Sequence, residues 1–178
     1  VGREEWSDLW RTNMEYQLKA LDKRERFGAV KDRIAALYAG DRKKLFLRHL
    51  DDADYALVAF DVDRARRSLE QAHRLDRDNY ELRLFLGEAA FNEGELDDAL
   101  GYFARVLETK DDQFEALVYS GVIRHERGDE TRAEQLLKRA VAIYPDAFLP
   151  QFSLGAVAAA QGDLARAVAY LEHACSLD

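Results

Sequence analysis

The sequence predicts an all-α protein made of stacked helical hairpins, and three observations carry that prediction. Three series of small residues share one period: Gly87, Gly121 and Gly155; Gly94, Gly128 and Gly162; Ala99, Ala133 and Ala167 each recur every 34 residues. A fixed period in this range marks helical hairpins that bury their faces against their neighbours. Only two prolines, Pro145 and Pro150, occur in 178 residues. Apolar residues follow steps of three and four, and no run alternates as a strand would.

The elements follow in order. Residues 1–45 read as an amphipathic helical segment outside the repeats. Trp6, Leu9, Trp10, Met14 and Leu18 form one stripe over 3–22, opened by Glu4 and Glu5 as a helix dipole prefers. Phe27, Val30, Ile34, Leu37 and Tyr38 form a second stripe, and Gly40-Asp41 reads as a stop. Residues 46–79 form a degenerate repeat: Ala53, Ala65, Leu69 and Ala72 hold the small and apolar places and Asp61 opens the second helix, but Phe60 replaces the turn glycine. Three clear repeats occupy 80–113, 114–147 and 148–178, the last truncated.

Each recurring residue has a physical reason. Gly94, Gly128 and Gly162 fall where the first helix of each hairpin ends, and that turn needs a left-handed residue. Glu95, Asp129 and Asp163 come next, where a carboxylate meets free N–H groups at the start of the second helix. Gly87, Gly121 and Gly155 let the two helices approach closely, and Ala99, Ala133 and Ala167 are small for the same contact.

These residues resemble the tetratricopeptide repeat family, whose pattern runs W-x2-L-G-x2-Y, A-x3-F, P. The first unit reads Leu86, Gly87, Ala99 and Phe103; the second Ser120, Gly121, Ala133, Leu137 and Pro145; the third Leu154, Gly155, Ala167 and Leu171. All three lack the tyrosine, Phe91 standing one residue after its place in the first. The resemblance implies a right-handed α-solenoid and a non-enzymatic scaffold that binds protein or peptide in a concave groove lined by the first helix of each repeat. Carried onto this chain, the groove residues are Leu84, Glu88, Phe91, Val118, Val122, His125, Leu149 and Phe152. Members that grip acidic chaperone tails use lysine, arginine and asparagine there. Leu84, Glu88, Tyr119, Leu149 and Ser153 stand in those places, so that ligand is not expected. Apolar anchors among carboxylates suit a peptide or amphipathic helix with apolar side chains and Lys/Arg flanks.

Composition narrows the function further. The chain is 48% hydrophobic and 34% charged, which suits a folded globular protein. The net charge is −8, and residues 46–178 carry 26 Asp/Glu against 15 Lys/Arg, which argues against nucleic acid. The cluster Arg42, Lys43, Lys44 and Arg48 reads as a solvated face. No segment is apolar enough to span a membrane. The single cysteine, Cys175, reads as a buried thiol, and the four histidines lack metal-ligand spacing, so no metal or cofactor is expected. No nucleophile elbow or phosphate loop is present, and no enzyme is predicted. A start at Val1 rather than Met reads as a fragment; the expected compartment is the cytoplasm, and 19 Arg against 7 Lys points to a GC-rich bacterial source.

Two edges leave alternatives open. The 3–22 helix caps the stack, docks onto it, packs on a second copy or binds a partner. Val168, Leu171, Ala174 and Leu177 end the chain with apolar positions unaccounted for, so further repeats follow or this edge pairs with another molecule. Homo-oligomerisation through either edge is the alternative function.

Overall fold

A computed structural model describes residues 40–58 and 61–177, with Asp32 and Ala36. The 3–22 and 27–38 stripes, including Trp6, Leu9, Trp10, Met14 and Leu18, lie outside the described residues, as does Phe60. Eight helices are described: α1 (Gly40–Val58), α2 (Val62–Leu75), α3 (Tyr80–Asn92), α4 (Leu96–Thr109), α5 (Phe114–Glu126), α6 (Glu130–Ile143), α7 (Phe148–Ala160) and α8 (Leu164–Ser176). No strand occurs among the described residues. The chain divides into two compact units, with the cut inside α4 at Leu107.

In the first unit, α1 packs on α2 and α2 on α3. Phe46, Leu50 and Ala53 from α1 meet Leu69 and Ala72 from α2 and Leu82, Phe85 and Leu86 from α3 in one core. Burial of each large side chain contributes roughly 1.5–3 kcal/mol. The degenerate repeat therefore packs as a hairpin, with Ala53, Ala65, Leu69 and Ala72 all fully buried. Its first helix starts earlier than its register: α1 opens at Gly40, which has φ +67°, and runs through position 45. Asp41 in the first turn suits the helix dipole, so the stop signal at Gly40-Asp41 also serves as a start.

In the second unit, α5 packs on α6, α6 on α7 and α7 on α8. Ala133 and Leu137 meet Leu154 and Val157, with Val141 and Tyr170 at the edge. Phe114, the first residue of α5, meets Tyr144 edge-on at 4.9 Å between ring centres.

The glycine series serve two purposes. Gly94, Gly128 and Gly162 have φ of 79°, 75° and 81° at the three turns. A Cβ at Gly87 would lie 2.6 Å from the Phe103 ring, and one at Gly121 or Gly155 would lie 2.7 Å from Leu137 or Leu171. The residue seated over each glycine is thus the large one four places after the alanine, while Ala133 and Ala167 approach through their carbonyl oxygens at 3.4 Å.

The side chains of Asp61, Asp129 and Asp163 accept from the backbone N–H of Arg64, Arg132 and Arg166 and cap α2, α6 and α8. The Glu95 carboxylate instead pairs with Arg66. Cys175 is exposed, not buried as the sequence suggests.

Candidate partner-binding surface

The inner and outer helices differ in how they are buried. On the outer helices only a narrow stripe is enclosed: Ala99, Phe103 and Val106 on α4, and Ala133, Leu137 and Ala140 on α6. On the inner helices every residue from Leu84 to Phe91 and from Ala116 to Ile123 is buried. These stretches are buried on every side although they include Glu88, Tyr119 and Ser120, so one-face reasoning does not separate core from groove.

Leu84, Glu88, Phe91, Val118 and Val122, expected in the groove, are buried, Val122 completely. His125, Leu149 and Phe152 are only partly buried. His125 is also committed locally: its Nδ1 lies 2.6 Å from the Glu130 carboxylate at the start of α6.

On α7 a group of apolar side chains is partly open. This helix has no charged residue from Phe148 to Ala160. Phe148 and Phe152, one turn apart, stack at 5.7 Å with their planes 15° apart, and both are partly exposed beside Leu149. The polar side chains beneath them are satisfied internally. Ser153 Oγ donates to the Leu149 carbonyl at 2.6 Å, and Gln151 Nε2 donates to the Pro145 carbonyl at 2.8 Å. The stacked Phe148 stands next to the predicted pair Leu149 and Phe152, and its spacing to Phe152 was the signal that could have found it.

Charge enters at the joints between hairpins. In the first unit, Arg66 of α2 reaches Glu93 at 2.5 Å, Glu95, and Asp98 at 3.6 Å. Partial burial opposes its charge, but the Glu95 and Glu93 carboxylates outweigh burial and raise the guanidinium pKa. In the second unit, Glu134 of α6 accepts from Lys138 at 2.7 Å, Gln161 at 3.0 Å and Arg166 at 2.6 Å. Lys138, then Gln161, pull its pKa down to about 2, and Arg166 adds to that against the effect of burial. In the basic cluster on α1, Arg42 donates to the Leu75 carbonyl at the end of α2, and Lys44 lies 3.6 Å from Asp41. His73 is held below the usual histidine range by burial and by Arg83. Among the described residues, no group of three His, Cys, Asp or Glu could hold a metal ion. None of the described helices is long and apolar enough to cross a membrane.

Paired helices with a glycine-seated contact, left-handed glycine turns and aspartate caps define a helical-repeat interaction protein. Three tetratricopeptide repeat models match residues 56–119, 98–148 and 151–178, and the chain belongs to the tetratricopeptide repeat family. Its fold matches solved structures of MamA. The MamA 41-end structure from Desulfovibrio magneticus RS-1 is 23% identical, with TM-score 0.70 over 79% of this chain and 78% of that one. A second, described as the crystal structure of MamA, is 18% identical, with TM-score 0.66 over 83% and 84%. The MamA AMB-1 structure in its P212121 form is 18% identical, with TM-score 0.65 over 98% and 93%. A search of curated proteins returned no match. As a tetratricopeptide repeat protein, the chain is a protein–protein interaction scaffold.

Proposed function

We propose that the scaffold holds a peptide or amphipathic helix against α7, with apolar side chains of the ligand on Phe148, Leu149 and Phe152. The observation that carries this reading is the stacked, partly exposed aromatic pair on a helix without charge. Aromatic surface of this kind supplies large contact area at small entropic cost. Around it, residues 107–177 carry 11 Asp/Glu against 7 Lys/Arg. The ligand therefore presents apolar anchors at helical spacing with Lys or Arg beside them, and the acidic surroundings speed its arrival. Leu84, Glu88, Phe91, Val118 and Val122 support the inner helices from within, with His125 at the margin. No catalytic step is assigned to the chain.

Selection from a displayed peptide library tests this reading. Wild type should enrich sequences with apolar residues three or four apart and basic flanks. The Leu149→Glu/Phe152→Glu variant should lose those peptides while its helical circular dichroism stays unchanged. If the folded variant keeps the same peptides, binding lies elsewhere and the reading fails.

A further inference from the structure

Tyr144, between α6 and α7, is 58% exposed although the hairpin α7–α8 follows it, so its ring stands open at a closed joint. Its edge-on contact with Phe114 sets the two ring planes 82° apart, like the walls of a corner. The two rings differ in kind. The place of Phe114 carries an aromatic in every repeat: Phe46, Tyr80 and Phe148. The place of Tyr144 holds Asp76 and Lys110 in the two preceding repeats, so the fold does not call for an aromatic there.

The Phe114–Tyr144 contact puts the start of α5 beside the start of α7. Carboxylates at the two ends of these helices differ. Where α5 and α7 finish, Asp129 is held by Arg124 and Arg132, Glu130 by His125 and Asp163 by Arg166. Where they start, Asp111 lies 4.0 Å from Arg139 and Glu115 accepts from Gln113. Asp112 and Asp146, at that same end, are exposed and have no partner among the described residues. Asp112 stands two residues before Phe114 and Asp146 two after Tyr144, each within about 7 Å of backbone of a ring-bearing residue.

We propose that the corner of Tyr144 and Phe114 binds a Lys or Arg side chain of a partner peptide, the cation over the exposed Tyr144 ring and Asp112 and Asp146 opposite its charge. A ring face attracts a cation through its quadrupole. The two carboxylates repel an anion and add nothing for an apolar side chain, so charge selects the occupant. The direction of the peptide rests on the reading of α7 given above; the cation site rests on the corner itself. Helix α7 begins four residues after Tyr144. A peptide with apolar side chains on Phe148, Leu149 and Phe152 therefore sets its basic flank at the corner and runs from there towards Ala159. At the far end the carboxylates are already held, so the flank has one place to go.

The displayed peptide library tests this through its charged positions. Wild type should enrich a Lys or Arg flank. Tyr144→Ser should lose that residue and keep the apolar spacing, whereas Tyr144→Phe should retain both. Asp112→Asn/Asp146→Asn leaves the rings in place, should keep the wild-type circular dichroism melt, and should also lose the basic residue. A synthetic peptide from the wild-type selection should bind Tyr144→Ser about fivefold more weakly. Its affinity for the asparagine double variant should depend less on salt. A basic preference that survives Tyr144→Ser and the double variant, or its absence from wild type, overturns the proposal. Basic peptides without apolar spacing, lost on Tyr144→Ser, would overturn the reading of α7 and the direction drawn from it, and would support the corner.

Discussion

The joint between α2 and its following hairpin and the joint between α6 and its following hairpin are one construction with the charges reversed. Arg66 and Glu134 stand two repeat periods apart, and so do their partners Asp98 and Arg166. In the first joint a cation is clasped by carboxylates from the turn and first turn of the next hairpin. In the second an anion is clasped by Gln161 and Arg166 from the same places. The central side chains are equally enclosed, Arg66 20% and Glu134 19% exposed, but the partners differ: Glu93 is 16% exposed, whereas Arg166 is 41% and Lys138 53%. The two pairs thus share one place in the repeat with opposite signs, while the intervening repeat holds Leu100 there. The enclosed pair should matter more for stability, because solvent screens the exposed one.

The sharpest break of this comparison is Arg66→Glu. It would set a carboxylate among Glu70, Glu93, Glu95 and Asp98. We expect a loss of about 2 kcal/mol, between the effect of an exposed pair and that of a broken buried one, read by urea denaturation. A loss no larger than that of Arg66→Ala would mean that the sign of the joint is unimportant.

Glu134→Arg should give a smaller loss, since Arg166 and Lys138 extend into solvent. Adding Arg166→Glu recreates the polarity of the first joint and should recover most of that loss. A double-mutant cycle with no coupling between the two positions would break the equivalence of the joints.

The smallest effect is acid sensitivity. Glu134 has a folded-state pKa of about 2, below its ordinary value of 4.5. Its contribution is therefore complete above pH about 4.5 and is lost as pH falls towards 2. Glu134→Gln should lower stability at neutral pH and flatten the stability-against-pH curve in that window, so that the two proteins converge at its acid end. An unchanged acid limb would show that the depressed pKa makes no contribution to folding.

Much of the fold was legible because backbone geometry leaves few residue choices. Only glycine suits the φ values at positions 94, 128 and 162, and only glycine leaves room beneath Phe103, Leu137 and Leu171. Aspartates 129 and 163 were legible for a similar reason, since a short carboxylate fits a helix start. The surface was harder to read. A periodic stripe identifies an outer helix that is buried on one side, but the middles of α3 and α5 are buried on every side, so periodicity does not separate groove from core. Leu84 and Val118, expected in the groove, are both buried. The reversed joints escaped notice because each charge finds its partners about 30 residues away, across a turn, in groups of mixed residue type. Cys175 was assigned to the interior because lone cysteines usually lie there, yet it is exposed.

The reversed joints also bear on how the gene can change. Arrays of repeats lose and gain whole units by unequal exchange between copies. A deletion that joined α2 directly to the hairpin of α7 and α8 would keep the 34-residue frame, with Gly155 and Gly162 in their places. It would nevertheless bring Arg66 against Arg166 in place of Asp98. Keyed in this way, the two outer joints discourage such a shortening and help to preserve the number and order of repeats.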